Sequence, residues 1–226
     1  ALKTHRLGWP AYISICGAGE TLIPNEIVDI VELLLRDGHY INLTNNGTIS
    51  KRIDELLSLP DEHLDRLHFS FSFHYRELKN RNLLSTFSTN INKVRNSRCS
   101  MLVQLNLVDE YISEIDEIKS FSLENFGALP QIALTRDESE RPLYTIQTNL
   151  SQKEYDVFAN SFDSELYKMT RLNFMKRRKE FCYAGYWSGV LNLATGDFGK
   201  CYNVPNPQNI FENISDPIEF EAIGHN

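Results

Sequence analysis

The chain has 226 residues, with 23 Lys and Arg against 30 Asp and Glu, which gives a formal net charge of −7 at pH 7. Charged residues at 23% and apolar ones at 42% exclude wholesale disorder, and the acidic balance excludes a protein built to coat nucleic acid. No run of about 18 apolar residues predicts a membrane span, and four cysteines are too few for a disulfide scaffold, which points to a reducing, cytoplasmic setting.

The chain opens on Ala1-Leu2-Lys3-Thr4 without an apolar leader and closes on Gly224-His225-Asn226, so the expectation is an internal piece of a longer protein. Tyr12-Ile13-Ser14-Ile15-Cys16 reads as a strand running into a Gly-rich turn. Pro24 then suits a first helical turn, Ile27, Ile30, Val31 and Leu34 form the apolar stripe of a helix, and Gly38 closes it. Tyr40 to Thr44 is the second strand, Asn45-Asn46-Gly47 its turn, and Ser50 to Leu59 the next helix, with Ile53, Leu56 and Leu57 inward. From Leu67 to Phe73 the period of two puts Phe69, Phe71 and Phe73 on one face and Ser70 and Ser72 on the other. Helix Leu83 to Arg95, strand Met101 to Leu107, helix Ile112 to Phe126 and strand Gln131 to Thr135 follow.

Strands therefore start near 12, 40, 67, 101 and 131, at steps of 28, 27, 34 and 30 residues. Strands separated by helices at that spacing are βαβ units, hence an α/β fold with parallel strands, an open sheet or a partial (β/α) barrel. In either arrangement ligands bind beyond the carboxyl ends of the strands. The alternation breaks near Ser139-Glu140-Arg141-Pro142, and a boundary near 148 divides residues 1–148 from 149–226. The second part predicts two helices, carrying Tyr155, Phe158 and Phe162, then Leu166, Met169, Leu172 and Phe174. A hairpin follows from Trp187 to Leu193 and Phe198 to Tyr202 across Ala194-Thr195-Gly196-Asp197. A mostly irregular, Pro-containing tail with Pro205, Pro207 and Pro217 ends the small C-terminal α+β domain.

Gly17-Ala18-Gly19-Glu20 lacks the third glycine of a dinucleotide fingerprint, since Leu22 occupies that position. It reads either as a tight turn or as backbone that admits a ligand while Glu20 fixes a positive group. Polar residues recur at strand ends: Glu20, then Asn45 and Asn46, Ser70 and Ser72, Gln104 and Asn106. Polar groups on four successive buried strands are costly unless they face a ligand or one another. Cys16 and Cys99 read as core residues. Cys182 and Cys201 read as buried thiols or as part of a metal site whose other ligands lie elsewhere. Lys176-Arg177-Arg178-Lys179 reads as a solvated helix end, and the Asn-x-Ser/Thr triplets at Asn42, Asn46, Asn149 and Asn213 as chance matches.

Taken together, these residues resemble the radical S-adenosylmethionine (SAM) enzymes. Cys16-Gly17-Ala18-Gly19-Glu20-Thr21-Leu22 is similar to the family's Gly-Gly-Glu motif, with Ala18 an inserted or variant position. Leu43-Thr44-Asn45-Asn46-Gly47-Thr48 is similar to its Thr-Asn-Gly strand end, and Phe69 to His74 to its polar fourth strand. Cys182 followed by thirteen residues, Gly196, four residues and Cys201 resembles the start of the auxiliary iron–sulfur domain called SPASM or twitch. The resemblance implies SAM held by Gly19 and Glu20 at its amino group, by Ser70, Ser72 and Asn106 at ribose and carboxylate, and an auxiliary cluster on Cys182 and Cys201. It further implies a catalytic [4Fe–4S] cluster, an electron donor and reductive cleavage of SAM to a 5′-deoxyadenosyl radical, acting on a peptide, carbohydrate or small molecule. The family's Cys-x3-Cys-x2-Cys, which binds that cluster, is absent from this chain. The chain by itself is therefore expected to be inactive, with the triplet placed before Ala1 in a parent protein. Two other readings stay open: a non-catalytic module binding a nucleoside-like ligand or a partner, and a domain stapled by zinc at Cys182 and Cys201.

Overall fold

Along the Leu67–Ser72 strand every second residue is buried, and that alternation decides which face of the sheet enters the core and which stays half-exposed. The computed structural model describes residues 2–17, 19–137, 139, 145–176, 179–201 and 208–222. In chain order the elements begin with helix α1 (Thr4–Leu7), strand β1 (Tyr12–Ile15), α2 (Ile27–Arg36), β2 (Tyr40–Asn45), α3 (Ser50–Leu57), α4 (Asp61–Leu64) and β3 (Leu67–Ser72). They continue with α5 (Tyr75–Asn80), α6 (Leu84–Arg95), β4 (Ser100–Leu107), a 3-10 turn over Asp109–Glu114, α7 (Ile115–Phe126) and β5 (Gln131–Leu134). The short strands β6 (Arg136–Asp137) and β7 (Thr145–Ile146), helices α8 (Gln152–Asn160) and α9 (Glu165–Asn173), and strands β8 (Val190–Leu191), β9 (Asp197–Gly199) and β10 (Gln208–Asn209) complete the order.

Tyr12–Arg36 with Tyr40–Lys176 form the larger of two compact units, and Ala1–Ala11, Asp37–His39 and Arg177–Asn226 the smaller. The larger unit is built on a five-stranded sheet in the order β1-β2-β3-β4-β5, parallel throughout. This is the expected α/β arrangement of parallel strands, and the sheet is open: the described strands do not close a barrel. Leu43, Phe69, Phe71, Leu105 and Ile132 point to the helical side and are completely buried. Ile27, Val31 and Leu35 of α2, Ile53 and Leu56 of α3, and Phe87, Ile91 and Val94 of α6 meet them in one apolar cluster. Aromatic rings form its densest part: Phe73 stacks on Phe87 at 5.1 Å between centroids and meets the edge of Phe126 at 5.5 Å. A buried Phe truncated to Ala costs about 3–5 kcal/mol, so this cluster dominates the stability of the unit.

The opposite face carries the residues of the other parity: Ser14, Asn42, Thr44, His68, Ser70, Ser72, Gln104 and Asn106, from half-buried to exposed apart from Asn42. Polar side chains predominate on it, with Leu102 opposite Ser70 and Ala133 opposite Asn106 as apolar exceptions. Asn42 Nδ2 donates to Ser14 Oγ at 3.0 Å and Ser70 Oγ donates to Asn42 Oδ1 at 2.8 Å, a hydrogen-bonded row that crosses β1, β2 and β3.

Helices α8 and α9 belong to this larger unit, which carries it to Lys176 and past the boundary expected near 148. Ser164, the N-cap of α9, is the reason: its Oγ accepts from the Ile132 N–H at 2.8 Å and donates to Gln131 Oε1 at 3.1 Å, while Leu166 N–H donates to the same Gln131 oxygen. The helix start is thus bolted to β5. The 139–142 break lies between β6 and β7, and Glu140, Arg141 and Pro142 are outside the described residues. Two short helices, α4 and α5, fill connections for which the apolar spacing predicts no element.

In the smaller unit β9 pairs antiparallel with β8 across the expected turn, where Gly196 holds φ at +83°. A Cβ there would lie 2.6 Å from the Phe211 ring, so conformation and space both require glycine. A third strand, β10, which the Pro-containing sequence did not suggest, pairs with β9; Tyr202, Pro205 and Pro207 lie outside the described residues. Leu7, Phe198, Ile210 and Ile218 are the core of this unit. Arg6 is 3% exposed and donates to the carbonyls of Asp216, Ile210 and Asn213 at 2.6, 3.1 and 2.9 Å, which ties the first helix to the 210–216 loop. No helix among the described residues is long and apolar enough to cross a membrane.

Candidate functional site

Each parallel strand delivers its carboxyl end, and the loop that follows, to the same edge of the sheet. At that edge the ends of β1, β2 and β3 enclose a cleft of about 210 Å³, lined by Cys16, Gly17, Gly19, Glu20, Thr21, Thr44, Asn45, Asn46, Ser72 and His74. Its residues come from the ends of three strands and the loops after them, and the first two of those loops are joined to each other.

Glu20 is the centre of that arrangement. Its Oε1 accepts from the Leu22 N–H at 3.0 Å and its Oε2 from the Asn46 N–H at 2.8 Å, so the carboxylate bridges the loop after β1 and the loop after β2. Two backbone donors fix its orientation, and each oxygen keeps lone-pair capacity for a further donor such as an ammonium. Gly17 N–H donates to Thr21 Oγ1 at 3.0 Å, which closes the first loop on itself. A Cβ built on Gly19 meets nothing within 4 Å, so the backbone there faces open space at the cleft wall. Ala18, the variant position of the turn, lies outside the described residues.

Of the strand-end residues singled out in the sequence, Gly19, Glu20, Asn45, Asn46 and Ser72 come together in the cleft. Asn45 is the last residue of β2 rather than a turn residue, and its side chain is spent internally: Oδ1 accepts from the Gly47 N–H at 2.9 Å and Nδ2 donates to the Leu43 carbonyl. Asn46 Oδ1 accepts from the N–H and the hydroxyl of Thr48 at 3.1 and 2.6 Å, an Asx-type turn. Ser70 stands one pleat further from the edge and belongs to the polar row with Asn42 and Ser14. Gln104 and Asn106 do not line the cleft; they lie on the same open face along β4, 3.5 Å from each other.

Cys16 was expected in the core and is instead exposed at the cleft wall, because it shares the parity of Ser14 and not that of the buried Ile15. Cys99 is buried as expected, and its desolvation pushes the thiol upward. Thr21, Thr44 and His74 also reach the cleft and were missed in the sequence, although Thr44 shares the parity of Asn42 and His74 that of Ser72. Further along the edge, Asp109 follows β4 and takes the Thr148 hydroxyl and the Asn149 N–H, the latter at 2.6 Å. The Thr148 hydrogen bond first, and then the Asn149 amide, hold its carboxyl below the usual range. On the open face His68 sits 2.8 Å from Ser100 Oγ, and burial pushes its imidazole downward.

Cys182 and Cys201 lie in the smaller unit, the first exposed and the second half-buried, and the four cysteines form no disulfide. Among the described residues no three His, Cys, Asp or Glu side chains gather in a way that could hold a metal ion. Arg177 and Arg178 of the basic run are outside the described residues.

No protein-family model matches the chain, and no curated protein matches it. Solved structures do. SuiB of Streptococcus suis, in a crystal structure bound to S-adenosylmethionine, aligns with a TM-score of 0.53 at 16% identity, over 89% of this chain and 52% of that one. Archaeal TYW1 aligns with a TM-score of 0.47 at 10% identity over 77% of this chain and 54% of that one, and TYW1 with a lysine–pyruvate adduct bound with 0.47 at 10% over 76% and 54%. The chain spans about half the length of these structures. The likeness to SuiB shows the fold, an open α/β sheet of parallel strands with its loops at one edge.

Proposed function

We propose that the cleft beyond β1, β2 and β3 binds S-adenosylmethionine, and that the chain supplies this binding half of a radical SAM enzyme. The observation that carries the reading is Glu20: a carboxylate fixed by two backbone N–H groups of different loops, beside the open backbone of Gly19, in a cleft at the strand ends. Such a group suits the ammonium of an amino acid moiety, while the exposed glycine backbone admits close approach of its carboxylate. Ser72, Asn46 and His74 supply polar contacts for the remainder. The fold shared with SuiB, which was solved bound to SAM, supports the same reading.

The residues present do not complete an iron–sulfur site. Cys16 is at the cleft, Cys99 in the core, and Cys182 and Cys201 in the smaller unit, with no third metal-ligating side chain gathered beside any pair among the described residues. This chain's share is to bind and orient the sulfonium ligand.

Equilibrium dialysis of the chain against labelled SAM tests the reading. One SAM per chain is expected, with affinity falling about tenfold in Glu20→Gln, which removes the charge but keeps the size. Absence of binding at about 1 mM SAM would overturn it. Adenosine bound as tightly as SAM would favour a nucleoside-binding module, since Glu20 has no role toward a ligand without an ammonium.

A further inference from the structure

We propose that Asn90 of α6 is a positioning residue of this cleft, setting the loop after β2 and through it the carboxylate of Glu20; the inference rests on the SAM reading above. Asn90 is 0% exposed, and its Nδ2 donates to the Gly47 carbonyl at 2.9 Å and to Ser50 Oγ at 3.0 Å. Its Oδ1 is buried and makes no hydrogen bond. A buried amide with an unused oxygen carries a desolvation cost that an apolar side chain of similar volume would avoid, so stability by itself does not explain an asparagine here.

What the amide does is clamp a connection. Gly47 and Ser50 flank the turn that joins β2 to α3, and Asn90 holds both. Phe87, one helical turn earlier on the same face of α6, presses on the same residue: a Cβ on Gly47 would lie 2.6 Å from its ring. With Gly47 held from two directions, its N–H bonds Asn45 Oδ1 and the neighbouring Asn46 N–H is aimed at Glu20 Oε2, 2.8 Å away. Remove the Asn90 donor and the Gly47 carbonyl loses its partner in a buried position, so the turn must shift to find another. The Asn46 N–H moves with it, and Glu20 loses the interloop contact that orients it.

The test uses Asn90→Leu, close in volume and without a donor. Three readouts apply: hydrogen exchange of the Asn46 and Gly47 amides without ligand, SAM affinity below the unfolding temperature, and the same affinity in a Glu20→Ala background. Expected are exchange about tenfold faster, SAM bound about tenfold more weakly, and a change below about twofold once Glu20 is absent, because both substitutions then act on one contact. Unchanged exchange, unchanged affinity, or full additivity with Glu20→Ala would each overturn the proposal. If Asn90→Leu does not fold, Asn90→Ser, too short to reach Gly47 but still polar, is read by the same criteria. A failure of the unmodified chain to bind SAM defeats the underlying reading instead, and is told apart by the exchange measurement, which needs no ligand.

Discussion

Gly19 separates space from conformation in the cleft. Since a Cβ at this position meets nothing within 4 Å, Gly19→Val has room within the chain and is expected to leave the unfolding midpoint unchanged. The same isopropyl group stands where a ligand would approach the backbone, so SAM affinity should fall at least about tenfold. Calorimetric melting and SAM titration on one preparation check both halves, and a variant that melts normally and binds normally would remove Gly19 from the site. At this scale the sequence made Glu20, Asn46 and Ser72 legible, because polar residues in apolar strands demand partners. It hid Cys16, Thr44 and His74. Their parity was readable, yet a thiol, a threonine and a histidine each fit a core or a surface equally well, so composition pulled Cys16 inward while the pleat sent it outward.

Among the elements, the five strands and the long helices between them were legible from apolar period and turn residues, since burial against one core enforces both. The short helices α4 and α5 were not, because four and six residues cannot display a repeat. Nor was the anchoring of α8, which depends on a distant carboxylate. Asp109, just past β4, takes the Thr148 hydroxyl and the Asn149 N–H immediately before the Ser151 cap of α8. These bonds hold its folded-state pKa below the ordinary 3.8. A depressed carboxyl contributes stability that is present above the unfolded value and is lost as pH falls through the folded one. The chain should therefore lose the Asp109 contribution below about pH 4, and the stability gap between it and Asp109→Asn should narrow from about pH 6 to about pH 3. Denaturant midpoints at those two values measure it. A constant gap would mean that the carboxylate charge adds nothing to the tether.

At the scale of the whole molecule, every residue lining the cleft lies in the larger unit, and the turn after β2 that braces it is held from the helical side by Phe87 and Asn90. The smaller unit has its own core of Leu7, Phe198, Ile210 and Ile218, with the buried Arg6 guanidinium bound to three carbonyls. A ligand that binds only the folded larger unit must stabilise it by linkage, about 2.7 kcal/mol at a hundredfold excess over its dissociation constant. That stabilisation slows exchange only of amides whose opening destroys the site. Amides of Leu43, Phe71 and Leu105 in the central strands should gain protection close to the full amount on saturation with SAM. Those of Phe198, Ile210 and Ile218 should keep their rates. Equal protection in both sets would mean that the two units open together, while no protection anywhere, at concentrations well above the measured dissociation constant, would mean that SAM binds the unfolded and folded chain alike and that the cleft recognises nothing.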